Sequence, residues 1–167
     1  VVKCSGTCDV TQPKEEYRGI RSCAAAKLLF GGPGSCTYGC IGYGDCAAAC
    51  PQKAISLERG IAFVDAESCV GCGLCAKQCP QGVIAVVPET AKSVVACSNR
   101  DKGAATRKVC SVGCIGCMKC AKNCEAGATT VSGNLAAIDY EKCTGCGKCA
   151  EVCTTGCIRL VDLKVHA

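Results

Sequence analysis

Cys69, Cys72, Cys75 and Cys79 are spaced C-x2-C-x2-C-x3-C, and Pro80 comes directly after them. This spacing limits local geometry before anything else in the chain is considered. Three thiols two residues apart line one face of a tight loop. A fourth, one helical turn further on, points the opposite way. The proline ends the short helix and sets the chain off extended. In bacterial proteins such a run holds an iron–sulfur cubane, with the fourth cysteine serving the other cluster of a pair.

The run has a counterpart 74 residues on. Cys69, Cys72, Cys75 and Cys79 map to Cys143, Cys146, Cys149 and Cys153, while Cys36, Cys40, Cys46 and Cys50 map to Cys110, Cys114, Cys120 and Cys124. Ala54 falls on Ala128 and Ile84 on Ile158, with no gap between. Cys23 also falls on Cys97, although Cys4, in the same Val-Val-x-Cys context, is a rival match. A fixed internal period of this kind means that one supersecondary unit has been used twice.

Each copy has two cysteine runs separated by two short apolar segments around a turn, at Arg59-Gly60 and at Asn134. Hairpins are expected there. A short strand is expected at Val1–Cys4 and a helix between Glu15 and Phe30, firmest from Ser22, ended by Gly31-Gly32-Pro33-Gly34. The expected fold is α+β: two tandem two-cluster ferredoxin-like modules with short strands, short helices and much loop. The boundaries are an N-terminal cysteine-containing segment at 1–34, a first module at 35–90, a connecting segment at 91–109 and a second module at 110–167.

Crossing the fourth ligands between runs gives Cys114, Cys117, Cys120 with Cys153, and Cys143, Cys146, Cys149 with Cys124. In the first copy it gives Cys69, Cys72, Cys75 with Cys50. The remaining site is irregular, because Tyr43 stands where the second copy has Cys117. Cys40, Cys46 and Cys79 supply three ligands there, and Cys36 is the candidate fourth. Without it the site would hold three irons or take a non-cysteine ligand. Four clusters use sixteen of the 22 cysteines. Cys4, Cys8 and Cys23 could hold three corners of a fifth, with Cys97 or Cys110 as the fourth, or these thiols could simply be packed. Cys157 sits where the first copy has Val83 and reads as a small buried hydrophobe.

Other uses of so much cysteine fit less well. Triplets at x2 spacing are poorly placed to form disulfides with one another. Zinc would want paired cysteines, commonly with histidine, and the only histidine is His166, read as a solvated tail residue. The formal charge of +5 counts thiols as neutral. Four clusters of about −2 each would bring the loaded chain to about −3. Lys and Arg are scattered without interleaved aromatics, so nucleic acid is not indicated. No nucleophile–base pair, phosphate loop or nucleotide fingerprint is present. Gly39, Gly42 and Gly44 instead let backbone amides approach cluster sulfurs. The chain should move electrons, with no catalytic residues and no substrate site of its own, in a reducing setting.

More specific likenesses lie outside the ferredoxin runs. The segments C-S-G-T-C-D from Cys4, Y-R-G-I-R-S-C from Tyr17 and G-G-P-G-S-C-T-Y-G-C-I-G-Y-G-D-C-A-A-A-C-P-Q-K-A-I from Gly31 resemble the B subunit of the Rnf complex in its longer clostridial-type form. So do C-S-N-R-D-K-G-A from Cys97 and K-V-C-S-V-G-C-I-G-C-M-K-C-A-K-N-C from Lys108. The resemblance implies an electron-transfer subunit of a membrane-bound ferredoxin:NAD oxidoreductase that couples electron flow to ion transport. It implies 4Fe-4S cofactors, soluble ferredoxin as electron donor and the other Rnf subunits as partners. It also implies a place on the cytoplasmic face of the membrane, through an N-terminal anchor and a further cysteine-rich segment that this sequence lacks. The other readings are a polyferredoxin subunit of a soluble oxidoreductase or hydrogenase, and a free electron carrier. Glu125 and Thr154 depart from the prolines expected after Cys124 and Cys153.

Overall fold

The computed structural model describes residues 1–29 and 31–161. Phe30, the expected end of the first helix, and His166 lie outside them. The elements are short: α1 Cys23–Lys27, α2 Asp45–Ala48, β1 Ile55–Glu58, β2 Ile61–Val64, α3 Leu74–Gln78, β3 Ser93–Val95, α4 Gly103–Val109, α5 Lys119–Lys122, β4 Thr129–Ser132, β5 Leu135–Ile138, α6 Lys148–Glu151 and β6 Ile158–Leu160. This is a small ferredoxin-like α+β fold.

Both expected hairpins form. β1 pairs antiparallel with β2 through Glu58↔Ile61, and β4 with β5 through Ser132↔Leu135. The two-residue turns are Arg59-Gly60 and Gly133-Asn134, all four residues with positive φ, as a type I′ turn requires. The first cysteine loop of each copy packs on the turn of its hairpin. A Cβ on Gly42 would lie 2.3 Å from the Gly60 carbonyl oxygen, and one on Gly116 would lie 3.1 Å from Asn134 Cα. Gly42 therefore serves both its positive φ of 82° and a close approach that no side chain permits.

A third strand pairing closes each copy. In the second, β3 runs antiparallel to β6 with Val95↔Ile158, and Ala96 N–H reaches the Cys157 carbonyl at 2.7 Å. The stretch expected as a connecting segment thus contributes a strand to the second copy. In the first, Val2 bridges Ile84, and Lys3 N–H reaches the Val83 carbonyl at 2.6 Å. The strand expected at Val1–Cys4 is reduced to this single bridge, but its place is the equivalent of β3, which decides between the rival matches: Cys4, not Cys23, is the counterpart of Cys97.

The first helix is shorter than expected. Residues 15–22 are irregular and α1 begins at Cys23, with Ser22 as N-cap. The reason lies across the fold. Asp45, the first residue of α2, accepts hydrogen bonds from Cys23 N–H (2.8 Å), Ala24 N–H (3.0 Å) and Ser22 Oγ (2.9 Å). The carboxylate satisfies the helix's orphan donors and fixes its start. α1 ends at Lys27 with Leu28 as its C-cap, and the chain turns away at Gly31 and Gly32, both with positive φ, with Gly31 N–H bonded back to the Lys27 carbonyl at 3.1 Å.

The turns after Cys124 and Cys153 form without proline. Gly127 N–H bonds the Cys124 carbonyl at 3.0 Å, as Lys53 N–H bonds that of Cys50 at 3.2 Å. Glu125 takes an ion pair from Lys148 at 2.5 Å.

Candidate iron–sulfur cluster sites

Four cavities in this fold are each bordered by at least four cysteines, and two of the groupings differ from the sequence expectation. Cys50, Cys69, Cys72 and Cys75 share an open cavity of about 370 Å³, walled by Ile55, Val64 and Ile84. Cys114, Cys117, Cys120 and Cys153 share a small one of about 20 Å³, together with Cys157. These are the groupings expected from crossing the fourth cysteine. Cys124, Cys143, Cys146 and Cys149 occupy the places equivalent to Cys50, Cys69, Cys72 and Cys75, and Cys124 borders Lys148, the residue before Cys149.

The irregular site is closed differently from the reading that gave it Cys36. Cys40, Cys46 and Cys79 share a cavity of about 10 Å³ with Cys23. The Asp45 hydrogen bonds described above are what bring the start of α1 over α2, so Cys23 lies against Cys46. Tyr43, in the place of Cys117, turns to the segment that carries Cys23. Its ring centroid lies 5.7 Å from that of Tyr17, and the Arg21 guanidinium sits 5.7 Å over it. The missing cysteine of the loop and the cysteine of the inserted segment thus occupy one site.

Cys36 faces elsewhere. With Cys4, Cys97 and Cys110, and with Cys40 at its edge toward the neighbouring site, it borders a cavity of about 40 Å³ between the two copies. Asn99 Nδ2 donates to Cys36 Sγ at 3.4 Å. Cys8 is exposed and its backbone N–H bonds the Arg59 carbonyl at 2.9 Å; it borders none of these cavities.

Cysteine spacing alone leaves Cys4 and Cys23 in one group. The Val-Val-x-Cys-Ser match at 1–5 and 94–98 is the signal that separates them. It requires an offset of 93 from Cys4 to Cys97, against 74 from Cys36 to Cys110. The first copy therefore carries 19 additional residues between its strand and its first run, and Cys23 lies in that insertion.

The electrostatics suit thiolates held by a cation. Burial pushes the thiols of Cys40 and Cys46 up to about 11 and raises those of Cys4, Cys97, Cys110 and Cys120. Grouped buried thiols of this kind ionise together only when a metal supplies the compensating charge. Backbone N–H groups already point at the sulfurs. Cys4 Sγ accepts from Gly6 and Cys40, both at 3.4 Å, and Cys97 Sγ from Asn99 at 3.4 Å and Cys114 at 3.3 Å. Among the described residues, no three His, Cys, Asp or Glu side chains converge as ligands of a single ion. An all-cysteine donor set, spread around a cavity and fed by amide donors, fits the larger body of an iron–sulfur cubane.

Comparison with known proteins agrees. The family model described as a 4Fe-4S dicluster domain matches residues 35–83 and 113–157. The chain is 51% identical over 139 residues (83% of its length and 49% of the relative's) to the B subunit of the proton-translocating ferredoxin:NAD(+) oxidoreductase complex of Clostridium ljungdahlii. It is 43% identical over 142 residues (84% and 43%) to the B subunit of the Na(+)-translocating ferredoxin:NAD(+) oxidoreductase complex of Acetobacterium woodii. It is 42% identical over 142 residues (84% and 54%) to the B subunit of the ion-translocating oxidoreductase complex of Methanosarcina acetivorans. The chain spans about half the length of these curated relatives.

Proposed function

Because the chain belongs to the 4Fe-4S dicluster domain family, matched over more than half of its length, we propose that it is the cluster-bearing part of the B subunit of an Rnf-type ferredoxin:NAD oxidoreductase and relays electrons within that complex. Its two copies are tandem two-cluster modules. In the first, Cys50, Cys69, Cys72 and Cys75 hold one cluster, and Cys23, Cys40, Cys46 and Cys79 the other. In the second, the sets are Cys114, Cys117, Cys120 with Cys153, and Cys124 with Cys143, Cys146 and Cys149. The observation that carries this reading is the enclosure of separate cavities by four or more cysteines each, from distant parts of the chain.

Bound clusters supply one-electron chemistry at potentials set by hydrogen bonds, charge and solvent. The chain's own contribution is to hold them, to aim amide donors at the sulfurs, and to keep water from the enclosed sites. The relatives' names, each a B subunit of an oxidoreductase complex, support the other subunits of such a complex as partners, and soluble ferredoxin as electron donor is part of the same reading. Attachment at the cytoplasmic face of the membrane is part of the same reading. Among the described residues, no helix is long and apolar enough to cross a membrane.

Iron and sulfide analysis of anaerobically prepared protein tests the cluster content. About sixteen irons or more per chain is expected, at four per site, and eight or fewer overturns the reading. Membership in the complex is tested by affinity purification of the full-length protein from membranes. Recovery of the remaining subunits is expected, and recovery only with a soluble dehydrogenase or hydrogenase overturns it.

A further inference from the structure

We propose that Cys4, Cys36, Cys97 and Cys110 hold a fifth four-iron cluster on the seam between the two modules, where it joins their cluster pairs into one electron path. This rests on the cluster-bearing reading above and adds to it a site with two ligands from each module.

The four cysteines are two symmetry-related pairs. Cys36 and Cys110 are equivalent in the 74-residue repeat, and Cys4 and Cys97 are equivalent in the strand pairings Val2↔Ile84 and Val95↔Ile158. The repeat thus brings the same two positions of each module to a common cavity. Gly6 lies between two of them: a Cβ there would sit 3.6 Å from Cys4 Sγ and 3.8 Å from Cys110 Sγ. A Cβ on Gly39 would sit 3.8 Å from Cys36 Sγ. Both glycines border the cavity and keep it free of side-chain bulk.

The seam cavity, of about 40 Å³, lies in size between the cavities of the Cys23 and Cys114 groupings, about 10 and 20 Å³, and the open cavity of about 370 Å³ beside Cys50.

The surrounding polar groups are arranged for an acceptor-rich guest. Five N–H groups donate to three of the four sulfurs: the amides of Gly6 and Cys40 to Cys4, those of Asn99 and Cys114 to Cys97, and the Asn99 side chain to Cys36. Ser5, 4% exposed, borders the cavity, and its Oγ has no hydrogen-bond partner among the described residues. A buried hydroxyl without a partner is costly, and a cluster sulfide would accept its hydrogen bond. Its counterpart Ser98 instead bonds the Lys3 carbonyl at 2.9 Å, across the seam.

The position explains what the site would do. Cys40 belongs to the neighbouring site of the first module and Cys114 to that of the second. The amide of each donates to a seam sulfur, at 3.4 and 3.3 Å. An electron crossing the seam leaves one neighbour oxidised by one and the other reduced by one, with no bond or proton change. Without a seam cluster, the modules would exchange electrons across a gap lined by protein alone.

Iron and sulfide counts on the intact chain and on three variants test this. About twenty irons are expected for the unaltered protein, at four per cluster. Cys36→Ala, Cys110→Ala and the double variant should each retain about sixteen, so that the double loses no more than either single. A count of sixteen in the unaltered chain overturns the seam cluster while leaving the four-cluster reading intact; eight or fewer overturns both. A double variant that loses eight irons places Cys36 and Cys110 in different clusters and also overturns the proposal. Because the unaltered count is itself decisive, the test survives a variant that fails to fold.

Discussion

Cys157 illustrates how one side chain can do more than its burial suggests. It is 2% exposed, and its counterpart Val83 is 1% exposed, so a small hydrophobe would fill either place. Yet Cys157 Sγ lies 3.6 Å from Cys153 Sγ, within hydrogen-bond reach, and it borders the same cavity as Cys114. Its interaction with Cys114, together with burial, raises the Cys157 thiol, and the same interaction lowers Cys114. The thiol is therefore a donor to a ligand sulfur, a role that valine cannot fill. Donors to ligand sulfurs favour the reduced, more negative cluster. Cys157→Val should thus lower the potential of the Cys114, Cys117, Cys120, Cys153 cluster by tens of mV, on the order of a tenfold change in its one-electron equilibrium, with iron content unchanged. A redox titration followed by electron paramagnetic resonance reads this directly; an unmoved potential would reduce Cys157 to packing. Cys23→Ser makes a second prediction at this scale. Loss of one cysteine ligand should leave the Cys40, Cys46, Cys79 site holding three irons on oxidation, seen as a new three-iron signal. If Cys23→Ser shows no new three-iron signal and keeps every iron, the assignment of Cys23 to this site is overturned.

At the scale of elements, α1 has no stability of its own. Five residues are far below the length at which an isolated helix persists in water. What holds it is Asp45, whose carboxylate joins the start of α1 to the start of α2. In the second copy that place is Lys119, and no helix needs holding there. Asp45→Ala should cost about 1–2 kcal/mol, as loss of a good cap does. It should also make the first-module cluster next to α1 lose iron to a chelator faster than the remaining clusters, and time-resolved iron release by the variant and the parent protein checks this. Legibility divides along the same line. The hairpins, the turns at Gly60 and Asn134, and the regular cysteine groupings can be read from the sequence because spacing and turn residues fix them within a few positions. The placement of Cys23, and not Cys36, beside Cys40, Cys46 and Cys79 cannot, because it is made by a contact between residues 22 positions apart, in an insertion with no counterpart. The length of α1 is hidden for a related reason. Alanine and leucine favour helix through Leu29, but the helix begins where Asp45 can cap it, and the aromatic at Tyr17 is drawn off to Tyr43.

For the whole molecule, the question is what replaces the usual core. The buried cluster of the second module contains Cys97, Cys114, Cys120, Cys149 and Cys157, against four other apolar residues, Val95, Leu135, Ala136 and Ile158. The first module's is smaller still, Cys46 with Ile55, Ala62, Val83 and Ile84. Trp is absent and only two Phe are present. Fully burying a valine, leucine or isoleucine is worth about 1.5–3 kcal/mol, while ordering each residue costs about 1–2 kcal/mol of backbone entropy alone. Cores this small cannot offset that cost over so many residues in loops, so the metal–thiolate bonds must supply the difference, as they do in small metal-dependent domains. Removal of iron by a strong chelator under reducing, anaerobic conditions should therefore abolish the hairpin and helix signals in far-ultraviolet circular dichroism. The seam adds a further expectation. With two ligands from each module, a seam cluster couples their stabilities, so both should lose structure in one transition and not two. Cys36→Ala/Cys110→Ala should separate that transition into two steps while leaving the hairpins formed at the start. A parent protein that unfolds in two steps, or one that keeps its hairpins after every iron is gone, would show that the modules stand without what lies between them.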